Sequence, residues 1–153
     1  MSVRQISVFI ENSPGKLAAF TRLLGEGNID LLALTIADTT SFGILRCLVA
    51  DPDEACRVIT KAGYSARLTD VLAAVVPDKP GGLADVLITL ADEGVSLEYC
   101  YSFARETAGQ SFAQNGGAAL VLRVDDLERA TLALSSRGVP LINQDQIAAL
   151  RGV

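Results

Sequence analysis

The sequence predicts an α+β chain in which one strand–helix–strand–strand–helix–strand unit occurs twice. Three observations predict it: an internal repeat, a switch between two-residue and helical hydrophobic periods within each copy, and turn and capping signals in the same order in both. Ser13-Pro14-Gly15-Lys16-Leu17-Ala18 has its counterpart in Lys79-Pro80-Gly81-Gly82-Leu83-Ala84, 66 residues on. At that offset Leu24 meets Leu90, Ile29 meets Val95 and Leu31 meets Leu97. Further along, Gly43 meets Gly117, Asp51 meets Asp125 and Glu54 meets Glu128 at an offset of 74, so the second copy carries about eight extra residues. They fall in the small, polar run from Thr107 to Gly116, which reads as a longer hairpin loop.

In the first copy Ile6, Val8 and Ile10 alternate with Ser7 and Phe9, the period of a strand. Asn12-Ser13-Pro14-Gly15 ends it, with proline suited to the first helical position. Leu17, Phe20 and Leu24 follow at helical spacing, Leu23 widens the stripe, and Gly25 and Gly27 stop the helix. A second strand is expected from about Asp30 to Asp38, with Leu32, Leu34 and Ile36 on one face. Thr39-Thr40-Ser41 turns into a third, Phe42 to Ala50. Asp51-Pro52-Asp53-Glu54 opens a second helix, where Asp51 can cap and Glu54 can reach back. Val58, Ile59 and Ala62 are its expected inner face, Gly63 ends it, and Tyr64 to Leu68 makes a short last strand.

The second copy reads Val71–Val76, Gly81–Glu93, Ser96–Ala104, Ala118–Val124, Leu127–Arg137 and Pro140–Ile142. This order is the ferredoxin-like split βαβ unit, an antiparallel sheet with two helices on one face. Two such modules side by side can share edge strands, so one continuous antiparallel sheet is expected. The predicted boundaries are 1–69 and 70–153, with the long hairpin loop at about 105–117 and a short C-terminal helix or tail over 143–153.

Composition narrows the function. The chain of 153 residues is 50% hydrophobic, with formal charge −5. The acidic balance argues against nucleic acid as partner, and no apolar run is long enough to span a bilayer. Met1-Ser2-Val3-Arg4-Gln5 lacks a signal-peptide apolar stretch, so a cytoplasmic protein is expected. Cys47, Cys56 and Cys100 have no C-x-x-C spacing and read as buried free thiols. There is no histidine, which removes Ser-His-Asp and Cys-His nucleophile systems and histidine-bound metal. Asp30, Asp78 and Lys79 form no convergent catalytic constellation, so no enzyme, metal or cofactor is expected.

The Pro-Gly turns carry the site argument. Each places glycine and a helix N-terminus after a strand, where backbone N–H groups and the helix dipole favour a carboxylate. The N–H groups of Gly15, Lys16 and Leu17, or of Gly81, Gly82 and Leu83, can cradle an α-carboxylate, and Asp30 or Asp78 can pair with an α-ammonium. The structural alternatives are an ordinary strand-to-helix turn and solvated surface charges. Leu32, Leu97, Tyr99 and Tyr101 can line a side-chain pocket or simply the core, and Tyr99 and Tyr101, on one strand face, can shape a pocket or a dimer contact.

The run from Ile6 to Leu17, continued by Gly27-Asn28-Ile29-Asp30, resembles an ACT domain. Val75 to Leu83 with Gly94-Val95-Ser96-Leu97 resembles the same motif. Asp38 to Arg46 and Glu98 to Ala104 are similar to the small stand-alone tandem ACT proteins, and the likeness covers nearly the whole chain. The resemblance implies a regulatory module that binds an amino-acid effector between modules, with loop N–H groups on its carboxylate. It implies polar contacts from Asn12 and Asp30 in one copy and Asp78 and Ser96 in the other. The implied ligand-binding set is Asn12, Ser13, Gly15, Lys16, Leu17, Asp30, Leu31, Asp78, Lys79, Gly81, Gly82, Leu83, Ser96 and Leu97. The copies differ where Asn12 becomes Asp78, Asp30 becomes Ser96 and Lys16 becomes Gly82, so two sites of unequal chemistry are expected.

The first reading is thus a non-catalytic allosteric sensor, expected as a homodimer. A second is the regulatory subunit of an amino-acid biosynthetic enzyme. The small subunit of acetolactate synthase begins with a similar ACT domain but continues differently. A third is a dimerisation module with a vestigial site.

Overall fold

The computed structural model of the chain describes residues 1–38, 41–103, 106–107, 110–111 and 117–150. In chain order the elements are β1 (Val3–Glu11), α1 (Lys16–Glu26), β2 (Ala33–Asp38), β3 (Phe42–Leu48), α2 (Pro52–Lys61) and β4 (Ala66–Pro77). There follow α3 (Gly82–Asp92), β5 (Leu97–Phe103), β6 (Glu106–Thr107), β7 (Gln110–Ser111), β8 (Gly117–Val124), α4 (Leu127–Ser136), β9 (Leu141–Ile142) and α5 (Gln144–Ala148). The chain divides into two compact units. The N-terminal module holds Arg4–Thr69 and the end of the chain from Ile147; the C-terminal module holds Met1–Val3 and Asp70–Gln146.

Both modules are α+β and share one strand order. In the N-terminal module the neighbours run β2-β3-β1-β4, and in the C-terminal module β5-β8-β4-β9. Each is the order second, third, first, last within its own copy, the ferredoxin-like arrangement. The predicted last strand of the first copy and first strand of the second are one continuous strand, β4. The hairpin insertion lies largely outside the described residues; within it β6 pairs antiparallel with β7.

One face of each sheet meets its helices. Ile6, Val8, Ile10, Leu45, Cys47 and Val49 pack with Phe20 and Leu24 of α1 and Ala55 and Ile59 of α2. In the C-terminal module Leu72, Ala74, Val76, Leu120, Leu122 and Val124 pack with Val86, Leu90, Ala130 and Leu134. Each buried Leu, Ile, Val or Phe side chain among them contributes about 1.5–3 kcal/mol from area removed from water, and each alanine less. The opposite face is mixed. Ala73 and Val121, paired across β4 and β8, are buried, whereas Phe9 is 58% exposed.

Registers correct the second half of the repeat. Val8 pairs with Leu45, and its counterpart Ala74 pairs with Leu120. Leu45 therefore matches Leu120, an offset of 75 rather than 74. The helix caps agree, because Asp51 accepts from the Glu54 N–H and Asp126, not Asp125, accepts from the Arg129 N–H. The difference matters because a one-residue slip exchanges the two faces of a strand.

Several local expectations shift. Gly25 lies inside α1, which closes at Gly27. Pro14 precedes the helix rather than opening it, whereas Pro52 does sit in the first turn of α2. The inner face of α2 is Pro52, Ala55 and Ile59, and Ala62 is exposed. β2 begins at Ala33; Leu32 is buried, but Leu34 and Ile36, on the strand that ends the order, are exposed. The expected turn residues Thr39 and Thr40 lie outside the described residues. Of the three thiols only Cys47 is buried; Cys56 is half-buried and Cys100 exposed.

Candidate functional site

The two Pro-Gly turns have the same backbone. Gly15 and Gly81 sit at φ 84° and 86°, a left-handed conformation that a Cβ would strain. The Lys16 N–H donates to the Ser13 carbonyl (3.3 Å) and the Gly82 N–H to the Lys79 carbonyl (3.0 Å). Proline second, positive-φ glycine third and a closing first-to-fourth hydrogen bond are the marks of a type II turn. The turn itself thus uses the Lys16 and Gly82 N–H groups, which leaves them less suited to cradle a carboxylate than the sequence suggests. The first i→i−4 helix bonds come from Ala19 to Gly15 (2.9 Å) and from Asp85 to Gly81 (3.0 Å). The N–H groups of Leu17, Ala18, Leu83 and Ala84 precede those bonds, and neither helix has a side-chain cap. Each module therefore carries an uncapped helix N-terminus directly behind its turn.

The floors of the two turns differ. A Cβ on Gly82 would lie 2.1 Å from the Pro77 carbonyl oxygen, so the C-terminal turn closes onto the end of its strand. At the matching position the N-terminal module carries Lys16, whose Nζ lies 3.8 Å from Glu11. Beside each turn runs a groove. In the N-terminal module it measures about 370 Å³, bordered by Phe9, Lys16, Phe42 and Tyr64. In the C-terminal module it measures about 610 Å³, bordered by Val75, Gly82, Gly117 and Val139 at the corresponding positions. Tyr64, on the wall of the smaller groove, meets Phe20 edge-on with ring centroids 5.1 Å apart. Val139 and Val86 replace that aromatic pair in the other copy. The sequence reading missed Val139 and its neighbour Arg137; the match of Gly63 to Gly138 at the corrected offset is the signal that finds them.

Of the expected ligand-binding residues, the structure gathers Asn12, Ser13, Gly15, Lys16 and Leu17 at one turn and Asp78, Lys79, Gly81, Gly82 and Leu83 at the other. Asp30 and Leu31, and Ser96 and Leu97, stand instead beyond the far ends of α1 and α3. An 11-residue helix is about 16 Å long, so within one module the turn and the strand opening cannot grip one small ligand. Asp30 borders a hollow of about 260 Å³ together with Asp51 and Glu54. At the matching place Ser96 is fixed by Asp125: its N–H donates to Asp125 Oδ1 (2.9 Å), and the Asp125 N–H donates to the Ser96 carbonyl (3.1 Å). Leu97 packs on the core, and a bulge between Leu97 and Tyr99 turns Tyr99 and Tyr101 to the other face, in register with Arg123 and Val121.

The titratable groups perturbed in this structure lie away from the turns. Burial pushes the Cys47 thiol up to about 12, which keeps it protonated and unreactive at neutral pH. The hydrogen-bonded Arg4 guanidinium, at 2.6 Å to both carboxylate oxygens, holds Asp53 below the usual carboxylate value. Glu54 raises Arg57 in the same way. Among the described residues no cluster of three or more cysteine or acidic side chains could hold a metal ion, and no helix is long and apolar enough to cross a membrane.

Known proteins place this architecture. A protein of Bacteroides thetaiotaomicron, BT0572, has a crystal structure similar to this chain, with 36% identity and TM-score 0.86 over 97% of this chain and 96% of that one. The ligand-free regulatory subunit of aspartate kinase from Thermus thermophilus shares the fold, at 18% identity and TM-score 0.60 over 88% and 90%. The corresponding subunit from Thermus flavus does so at 18% and 0.58, over 87% and 90%. No curated protein matches the sequence. The ACT domain pair family matches residues 1–150, and the chain is a member of that family.

Proposed function

We propose that this ACT domain pair is a non-catalytic sensor that binds an amino acid at its strand-to-helix turns and passes the signal on by a change of state. The observation that carries the reading is the twin geometry of the turns: two uncapped helix N-termini, each behind a positive-φ glycine. Partial positive charge there favours an α-carboxylate. Asn12 and Asp78 stand just before the two turns and can reach the ammonium end. Asp30 and Ser96 lie a helix length away, so the contacts proposed here are those of the turns. A ligand that binds one state of the protein better than another shifts it toward that state, which is what a signal requires.

The test is a thermal-shift and calorimetry panel of the twenty amino acids. At least one should raise the melting temperature, and a panel flat across pH and salt overturns the reading. Asn12→Ala and Asp78→Ala should then weaken binding unequally, because one removes an amide and the other a charge.

The fold likeness to regulatory subunits of aspartate kinase motivates a second reading, in which this chain regulates a separate biosynthetic enzyme. Stoichiometric co-purification of a catalytic chain from source extract supports it, and recovery of the chain alone supports the free sensor.

A further inference from the structure

We propose that the outer surface of α3 and α4 binds a second copy of this chain, helix layer against helix layer, about a two-fold axis parallel to the helices. The two modules supply the contrast. Ile88 on α3 is 57% exposed and Leu132 on α4 is 67% exposed. Their counterparts in the N-terminal module are Arg22 and Arg57, the residues expected on a helix face that meets water. Single exposed aliphatics are ordinary. Two of them, central on neighbouring helices and replacing arginine at both repeat positions, form a matched pair.

The charges around them identify the occupant. On α3, Asp85 and Asp92 flank Ile88 three residues before and four after, so all three share one stripe. On α4, Arg129 lies three residues before Leu132, and Arg137 caps the helix end. The helices are antiparallel, since α3 follows β4 and α4 follows β8, its antiparallel partner. The Arg129 Nη1 donor 3.4 Å from the Glu93 carbonyl fixes the same alignment, bringing the start of α4 to the end of α3. Asp85 and Arg137 therefore lie toward one end of the layer and Asp92 and Arg129 toward the other.

A two-fold axis along the helices sets α3 of one copy over α4 of the other without reversing the ends. Ile88 then meets Leu132, Asp85 meets Arg137 and Asp92 meets Arg129, each twice. One operation thus satisfies the apolar pair and both charge pairs, as an isologous interface requires. Glu128 and Asp126 stand beside Arg129, the latter with its carboxylate 3.6 Å away, so Asp85 with Arg137 is the cleaner pair. Asp85, Ile88, Asp92 and Arg137 also line the C-terminal groove, so a second copy seated here covers that wall of it; the association itself needs no ligand at the turns.

Sedimentation of the full chain tests it. Ile88→Arg and Leu132→Arg install the residues that the other module already carries. Each should weaken association by about 30-fold or more, the scale of an interface anchor, with an unchanged circular dichroism spectrum. Asp85→Lys makes both helix ends basic, and Arg137→Glu makes both acidic. Each variant alone should lose the association step, and an equimolar mixture should regain it as a mixed dimer. A wild-type chain that does not self-associate overturns the proposal. So does an assembly that none of these substitutions alters, or a mixture that stays apart.

Discussion

The two modules of this chain keep the same backbone at the turn and fill the space beside it in opposite ways. Gly15 and Gly81 hold nearly identical φ, and the hydrogen bonds that close the two turns match atom for atom. Around them, Lys16, Phe20 and Tyr64 face Gly82, Val86 and Val139 at matched positions. The positions that stayed alike are those the backbone dictates, because a left-handed residue tolerates little besides glycine. The positions that diverged set volume and charge, and they open the C-terminal groove to about 610 Å³ against about 370 Å³. A duplicated module can thus keep one recognition geometry while its two copies offer different surroundings to whatever enters.

The sharpest way to break that comparison is to remove the matched pair Phe20 and Val86. Both are buried, at 0% and 2% exposure, but only Phe20 has an aromatic partner. Phe20→Ala should cost about 3–5 kcal/mol, the range for a buried aromatic, by urea unfolding. Val86→Ala removes two methyl groups and should cost about 2 kcal/mol. Equal losses would mean that the aromatic pair does not determine how the N-terminal module is packed.

Next is the floor of the turn. Gly82→Ala places a methyl group against the Pro77 carbonyl, a backbone atom that cannot rotate away, and should cost about 1–3 kcal/mol as overpacking does. Lys16→Ala removes only an exposed ion pair and should change stability by about 0.5 kcal/mol or less. If both are silent, the C-terminal turn relaxes easily and the two floors are less different than their contacts suggest.

Much of this was legible in the sequence, for physical reasons. The repeat, the element order and the turn glycines are written in short-range signals such as the Pro-Gly pairs and the two-residue alternation of Ile6, Val8 and Ile10. The expected cap at Asp51 follows the same local logic. What escaped depends on partners distant in the chain. The true offset of the second half is set by the pairing of Ala74 with Leu120, which no local window contains. Asp125 and Asp126 are adjacent and by local rules either can cap α4, so the capping signal alone does not fix the offset. The separation of Asp30 from Asn12 follows from α1 lying between them, and the loss of the Lys16 N–H to the turn follows from a hydrogen bond that proline and glycine permit without announcing it. Exposure misled as well: Leu34 and Ile36 fit a core pattern but lie on the strand that ends the order.

The smallest effect concerns charge, and it too separates the modules. Arg4 grips Asp53 through two hydrogen bonds of 2.6 Å. The matched positions in the C-terminal module are Asp70 and Glu128, two acids with no such grip. Arg4 holds the Asp53 pKa below its ordinary value, so the folded state binds that proton less readily than the unfolded chain. Its stabilising contribution is present above the unfolded pKa and disappears as pH falls through the lowered folded one. Asp53 is exposed, and water screens the pair, so stability should respond only slightly. The clearer readout is a carboxyl-carbon NMR titration, in which Arg4→Ala should return Asp53 upward to the ordinary aspartate range. An unmoved midpoint would show that the bidentate contact is too transient in solution to bias the proton, and would leave the N-terminal module without this electrostatic distinction from its partner copy.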